Sequence, residues 1–367
     1  MRIRFLFLSL VISCMPVLGM ASNDLKYIQL PAGFTIEEYA KVPGARQMAV
    51  ASNGVVFVGT RDAGNVYAVI PNTTANKAKT VVTLASHLFM PNGVALWQGD
   101  LYVAEVNRIL RFKNILEHLN APPQAEVIRN DLPDKTHHGW KYIGFSPDGW
   151  LYVPVGAPCN ICLSKDPRFA SLLRMKPDGS QLQIYAEGIR NTVGFAWHPQ
   201  THELWFTDNG RDWLGDNLPP EELNRAPHAG MHFGYPFVYG NNVPDPKFSN
   251  ATPLNKQFTT PVLELPAHVA ALGMMFYTGK MFPAQYQNHI FIAEHGSWNR
   301  SKKVGYQVID VTLENNIATK ETVFASGWLQ GQSVFGRPVD LAQMPDGAIL
   351  LSDDYSGTIY RITYQQR

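Results

Sequence analysis

The chain has 367 residues, 45 % of them apolar and 17 % charged, with a formal net charge of +1 at pH 7. Such a composition is that of a globular protein with a large core, not of a disordered or fibrous one. A nearly neutral body has no general attraction for nucleic acid or an anionic membrane surface, so any charged partner must be met by local charge.

Residues 1–21 read as a secretory signal peptide: Arg2 and Arg4 form the basic end, Phe5 to Ile12 the apolar core, and Gly19-Met20-Ala21 a small-residue cleavage site. An alternative reading makes Val11-Ile12-Ser13-Cys14 a lipid-attachment box that tethers the mature protein through Cys14. No later apolar run approaches the ~18 residues of a transmembrane helix. The expectation is a soluble, periplasmic or secreted protein, with 22–367 as a single domain. Removing Cys14 leaves Cys159 and Cys162, an even number suited to an oxidising compartment.

Phe34 to Val42 alternates like a strand, and one theme then recurs: an apolar entry, a polar turn, a strand of the Leu-Tyr-Val type and a further strand. It is found at Met48 to Val69, Gly93 to Phe112, Ile143 to Met175, Val193 to Asp208, Met274 to Val311 and Val339 to Tyr364, with starts 45 to 81 residues apart. A period near 45 with about four short strands per unit predicts an all-β, six-bladed β-propeller. The uneven later steps predict long insertion loops, chiefly Arg211 to Pro261, and Phe34 to Val42 is expected to close the ring beside the last unit. A helical stretch is predicted only at Asn114 to Leu119, and a β-sandwich with irregular connections is the alternative fold.

In the third unit, Pro147-Asp148-Gly149 marks a hairpin turn, and His137 and His138 stand just before its first strand. There a side chain projects from a rigid sheet toward a cleft, which suits a general base; the bland reading is a surface histidine. Arg190-Asn191 precedes the fourth unit and offers a planar cation and an amide to carbonyl or carboxylate oxygens, unless Arg190 merely pairs with Glu187. Asp208, Asp212, Asp216, Glu221 and Glu222 crowd 207–227, where hard oxygen ligands favour calcium over zinc, although a solvated acidic loop reads equally well. His295, Trp298, Arg300, Lys302 and Lys303 follow a strand of the fifth unit, as an anion-binding or aromatic-stacking group or as a basic hairpin tip. Arg337 precedes the sixth unit, so His138, Arg190 and Arg337 share one position in different blades and converge if the propeller forms. Cys159-Asn160-Ile161-Cys162 lacks both the His of a haem attachment site and a second pair for zinc; it reads as a small disulfide loop, or else a redox dithiol.

Taken together, His-His-Gly-Trp with the following FSPDGWLYVPVG, GIRNTVGFAWHP, Glu-Glu-Leu-Asn with HFGYP, FIAEHGSWNR and GRPVDLAQMPDG resemble the soluble quinoprotein glucose/sorbosone dehydrogenase family, and within it the sorbosone dehydrogenase-like branch. The resemblance runs from about Ile28 to Tyr364. It implies a six-bladed propeller carrying pyrroloquinoline quinone (PQQ) over its central channel with Ca2+ holding the quinone. Position by position, it implies that His138 is the general base and that Arg190 and Asn191 contact the quinone, with Arg190 stabilising developing charge. Backbone carbonyls of Gly210 and Arg211 would hold the cofactor's calcium; Glu222 and the backbone of Phe233 would hold a second, structural one. Arg300 lies near the family's cofactor-binding Lys, and Arg337 matches an arginine that contacts a cofactor carboxylate.

Two positions depart from the glucose dehydrogenases: Ala157 stands where they have an acidic residue beside the base, and Val339 where they have a second cofactor arginine. The implied reaction is oxidation of a sugar hydroxyl or hydrated aldehyde, with electrons leaving to a quinone or cytochrome acceptor. A calcium-dependent, lactonase-like propeller hydrolase and a non-catalytic binding propeller are the alternatives.

Overall fold

The computed structural model describes residues 24–72, 75–253 and 256–365, so the signal segment and Cys14 lie outside the described residues. Its short apolar strands assemble into six antiparallel blades, the all-β propeller expected from the repeat. Blade one is Ala45–Val50, Val56–Thr60, Val66–Pro71 and Ala78–Ala85; blade two is Gly93–Trp97, Asp100–Ala104, Ile109–Phe112 and Glu126–Arg129. Blade three is Gly144–Phe145, Leu151–Val155, Ser171–Met175 and Gln183–Glu187, with Met231–His232 added in parallel to its outer edge. Blade four is Phe195–Trp197, Leu204–Asp208, Glu221–Ala226 and Leu263–Leu265, and blade five is Ala271–Phe276, Ile290–Glu294, Gln307–Glu314 and Ile317–Ala325. Blade six is Pro338–Gln343, Ile349–Asp353 and Thr358–Tyr364, completed by the N-terminal strand Phe34–Lys41, which pairs antiparallel from Phe34↔Tyr364 to Lys41↔Thr358. Strands from the two ends of the described chain thus share one sheet, and the ring is sealed by backbone hydrogen bonds.

Blade geometry follows from the burial of each strand. The second strands are buried along their whole length in five of the blades, Val56–Thr60, Leu151–Val155, Leu204–Asp208, Ile290–Glu294 and Ile349–Asp353. Outer strands such as Ala78–Ala85 are mostly half-buried or exposed. The core therefore consists of layers between neighbouring blades; between blades three and four, Tyr142, Tyr152, Phe195 and Phe206 pack together, with Tyr142 and Phe195 edge to face at 5.0 Å. Each such aromatic contributes roughly 1.5–3 kcal/mol by leaving water.

Near the axis the inner strands approach closely enough to require glycine: a Cβ on Gly273 would lie 2.3 Å from Asp340 Oδ1 and 2.8 Å from the Val339 carbonyl. Val193, Leu272 and Val339, of three different blades, form a small buried apolar cluster with Trp140 packed against it. Val339 is buried in that cluster, so a charged side chain at this position would be taken out of water.

Two expectations change. Arg211 to Pro261 is not wholly an insertion, because it contains Glu221–Ala226, the third strand of blade four, in register with Leu204–Asp208. Its polar run Glu221, Glu222 and Asn224 is buried, which masks the apolar alternation by which strands are read. The helix at Asn114 to Leu119 shrinks to one 3-10 turn, Ile115–Glu117, preceded by Asn114 in the left-handed region at φ 46°. Isolated helices this short are unstable without a capped start, and 3-10 turns are the only helical pieces among the described residues.

Candidate active site

The residues ahead of the inner strands and those leaving the second strands meet at one end of the axis, around a cavity of about 240 Å³ that Leu272 and Trp140 of the apolar cluster help to line. His138 lines it, in the left-handed region at φ 50°. Its Nδ1 lies 2.9 Å from the carbonyl oxygen of Ala157. A carbonyl only accepts, so Nδ1 carries the proton and Nε2 keeps its lone pair. Gly156 makes that contact possible, since a Cβ there would sit 2.5 Å from the His138 Cβ. Burial first, then the positive charge of Arg190, holds the His138 pKa well below the usual 6.5, so the imidazole is neutral at physiological pH. His137 beside it is exposed and does not line the cavity.

Arg190 is buried and fixed from several sides. Its Nε donates to the Asn160 carbonyl at 2.9 Å, Nη1 to the Asn209 carbonyl at 3.0 Å, and Nη2 to Asn160 Oδ1 at 3.0 Å, with Asp212 Oδ2 at 3.4 Å. Asn160 lies inside the Cys159–Cys162 disulfide loop, and its Oδ1 also accepts the Asp212 backbone N–H at 2.8 Å. The loop therefore holds both Arg190 and the chain around Asp212. Backbone N–H groups of Arg190 and Asn191 donate to the two oxygens of buried Asp208, at 2.8 and 2.6 Å, which sets the direction in which both side chains leave blade four.

Arg337 donates to the backbone carbonyls of His295, at 3.0 Å, and Gly296, at 2.6 Å, while its own N–H is held by Asp353 at 2.9 Å. Arg46 bonds Asn92 and Asp354, and the Trp140 ring is flanked by the guanidinium carbons of Arg61 at 5.0 Å and Arg46 at 6.0 Å. Four arginines, Arg46, Arg61, Arg190 and Arg337, thus line the cavity against the carboxyls of Asp212 and Glu221. Trp140 Nε1 and Glu221 Oε2 are buried with no hydrogen-bond partner among the described residues. Burial pushes the Glu221 carboxyl well above its usual range. A cationic wall with an orphaned donor and an orphaned acceptor fits a planar polyanion accompanied by a cation.

Beside it, Gly210, Arg211, Glu222 and Phe233 all line a second cavity of about 30 Å³. Glu222 accepts the Gly240 N–H at 2.7 Å and Asn224 Nδ2 at 3.0 Å, and burial raises its pKa to about 8. A cation there would relieve the cost of ionising this carboxyl and Asp208, which lines the same space. Among the described residues no group of three or more His, Cys, Asp or Glu side chains is placed to hold a metal, so backbone carbonyls would have to supply much of any coordination sphere. The acidic stretch 207–227 does not act as one cluster: Asp212 turns to Arg190 and Asp216 to Ser301.

Of the residues singled out in the sequence, His138, Arg190, Asn191, Gly210 and Arg337 line the larger cavity together, with His295 and Trp298. Arg300 is not brought there; it donates to the Ala267 carbonyl at 3.1 Å and to Asn217 Oδ1 at 3.3 Å. Asp212 and Glu221 of the acidic stretch also line the cavity, as do Arg46, Arg61, Trp140 and His268, which were not singled out in the sequence. Arg46 had a readable signal, since it opens the inner strand of blade one just as Arg190 and Arg337 precede theirs.

Comparison with known proteins bears on the fold and the family. A protein of Borreliella burgdorferi described only as uncharacterized is 36 % identical over 354 residues, covering 92 % of this chain and 91 % of the relative. The holo PQQ domain of pyranose dehydrogenase from Coprinopsis cinerea superposes with a TM-score of 0.77 at 17 % identity, covering 94 % of this chain and 99 % of that one. The calcium structure of the Trichoderma reesei carbohydrate-active enzyme of family AA12 gives 0.76 at 18 % identity, over 92 % and 97 %. The PQQ-bound aldose sugar dehydrogenase of Streptomyces coelicolor gives 0.67 at 18 %, over 92 % and 100 %. These likenesses show the shared propeller, and the family follows from the sequence: with its model matched over residues 28–365, the chain belongs to the TrAA12-like family.

Proposed function

We propose that this protein is a PQQ- and calcium-dependent sugar dehydrogenase that oxidises a sugar hydroxyl or aldehyde, with the sorbosone-type aldehydes among its candidate substrates. The observation that carries the proposal is a neutral His138, its Nε2 free, in a cavity lined by four arginines. PQQ is a planar tricarboxylate, the ligand class that such a wall suits, and structures named for PQQ and for calcium share the fold. A lactonase-like hydrolase has no need of guanidinium groups on several sides of an aromatic anion.

In this reading Arg46, Arg61, Asn191 and Arg337 would hold the anionic groups of the quinone, backbone carbonyls of Gly210, which lines both cavities, and of Arg211, which lines the smaller, would hold its calcium, and Glu222 with the Phe233 carbonyl would hold a structural calcium. When bound, the quinone supplies the hydride acceptor and calcium a Lewis acid, and the hard chemistry is theirs. The chain's own part is to bind, orient and move a proton. His138 Nε2 takes the proton of the substrate hydroxyl, and the Ala157 carbonyl keeps the ring in the tautomer that allows it. Arg190 places a fixed cation where negative charge develops, and its partners Asn160 and Asn209 spare it any reorganisation. Electrons then pass to an external quinone or cytochrome, and the N-terminal signal exports the protein to the periplasm or beyond.

The test is calorimetric titration of PQQ into purified protein with and without calcium. One quinone per chain, bound more tightly with calcium, supports the reading; no binding in either condition removes it.

A further inference from the structure

Trp213 and Trp298 are 67 % and 66 % exposed, yet their rings meet edge to face at 5.5 Å and 84°. Large aromatics left this far in water gain little from packing, and Trp213 in addition occupies the left-handed region at φ 71°, which is costly for a bulky residue. The pair is nonetheless held in place. The loop carrying Trp213 leaves the second strand of blade four, and the loop carrying Trp298 leaves that of blade five. They are tied by Asn299 to Asp212 at 3.4 Å, by the Ser301 N–H to Asp216 at 2.9 Å, and by Arg300 to Asn217 at 3.3 Å. His268 Nε2, which lies under the first loop, is 2.8 Å from the Gly215 carbonyl. Arg300, which does not reach the cavity, therefore has a place in bracing this rim.

Trp298 lines the cavity and Trp213 stands beyond it, next to Asp212. The two rings make an exposed, preorganised corner with a carboxylate and an amide at its foot. An indole face takes the apolar C–H face of a sugar ring, while Asp212 and Asn299 offer partners to its hydroxyls. With a planar cofactor bound in the cavity of about 240 Å³, as proposed above, the substrate would be left at this rim.

We infer that the Trp213–Trp298 corner is a stacking subsite for a pyranose ring adjoining the one being oxidised, so that the enzyme favours disaccharides and longer sugars over monosaccharides. The inference rests on the sugar dehydrogenase reading of the cavity. Preorganisation gives the corner its value, since the braced loops and the contact between the two rings reduce the freedom lost when a sugar ring docks.

Two measurements test it separately from that reading. In the reconstituted enzyme, Trp213→Ala is expected to raise the KM for maltose, cellobiose or lactose about tenfold more than that for glucose, a factor worth about 1.4 kcal/mol, with Trp213→Phe restoring most of the loss. Equal effects on both sugar classes, or none, overturn the subsite. In protein without cofactor, the three disaccharides are expected to change tryptophan fluorescence saturably, and Trp213→Ala to abolish the change. A lack of response to all three overturns the subsite even if glucose is oxidised. A response that Trp213→Ala abolishes supports it even if no sugar is oxidised.

Discussion

His138 Nδ1 and the carbonyl oxygen of Ala157 lie 2.9 Å apart, across a gap that only Gly156 leaves open. Position 157, where the resemblance leads one to expect an acidic side chain, thus orients the His138 ring through its backbone carbonyl.

If His138 is the base, His138→Ala loses on the order of 10² to 10⁴ in kcat, the usual worth of a positioned general base, with quinone affinity retained. His137→Ala, at an exposed side chain outside the cavity lining, has a much milder effect. Steady-state kinetics on the two variants check this; the reverse pattern moves the base by one residue.

The pH dependence has a definite sign. Burial, then Arg190, lowers the His138 pKa well below 6.5, so the acid limb of kcat lies below the ordinary histidine range. Burial likewise lowers His232 and His295 to about 4. The unfolded chain takes up these protons near 6.5 and the folded one does not, so the contribution of these groups is full above pH 6.5 and falls as pH drops toward 4. Thermal melts from pH 7 to pH 4, compared with His232→Gln, read this directly: the variant should lose less stability on acidification.

Much of this architecture can be read from the chain, and the misses have physical reasons. The closing strand at Phe34 and the turn at Pro147-Asp148-Gly149 rest on local alternation and turn chemistry, which sequence displays. Arg190 and Arg337 are found because each precedes an inner strand, and Arg46 shares that position but lacks a neighbouring motif. The contact between Arg190 and Asp212 spans 22 residues, and Asn160 reaches Arg190 from 30 away, distances at which only the closed ring makes them neighbours. Whether Glu221 and Glu222 are cation ligands or part of a solvated loop stays open from local sequence, because burial of a carboxyl is set by blades far off in sequence.

Asn160 fixes Arg190 through both its carbonyl and its side chain, and it does so from within the disulfide loop. Asn160→Ala, or Cys159→Ser with Cys162→Ser, should lower kcat by about tenfold while the melting temperature falls by only a few degrees, since a hydrogen bond to a charged group contributes roughly 1.5–3 kcal/mol. Unchanged turnover after full reduction of the disulfide would show that the loop does not position Arg190.

Calcium should raise the melting temperature of chelator-treated protein, because a ligand bound only by the folded state stabilises it by mass action, about 2.7 kcal/mol at a hundred times Kd. Glu222→Gln should remove that part of the rise that belongs to the smaller cavity. Equal melting in calcium and in excess chelator would leave Glu222 as a buried neutral carboxyl.

If Arg337 meets a cofactor carboxylate, Arg337→Ala removes a charge-assisted contact worth roughly 1.5 to 3 kcal/mol. The PQQ concentration needed for half-saturation should rise by about one to two decades, with turnover at saturation changed far less. A loss confined to turnover would instead place Arg337 at the reacting atoms.

The central claim is tested most directly by dye reduction in purified protein reconstituted with PQQ and calcium, using glucose, other aldoses and a sorbosone-type aldehyde as substrates. The account predicts sugar-dependent reduction that requires both PQQ and calcium and that His138→Ala abolishes. Saturated binding of the quinone without reduction by any of these sugars, or reduction that persists without the quinone, would contradict it.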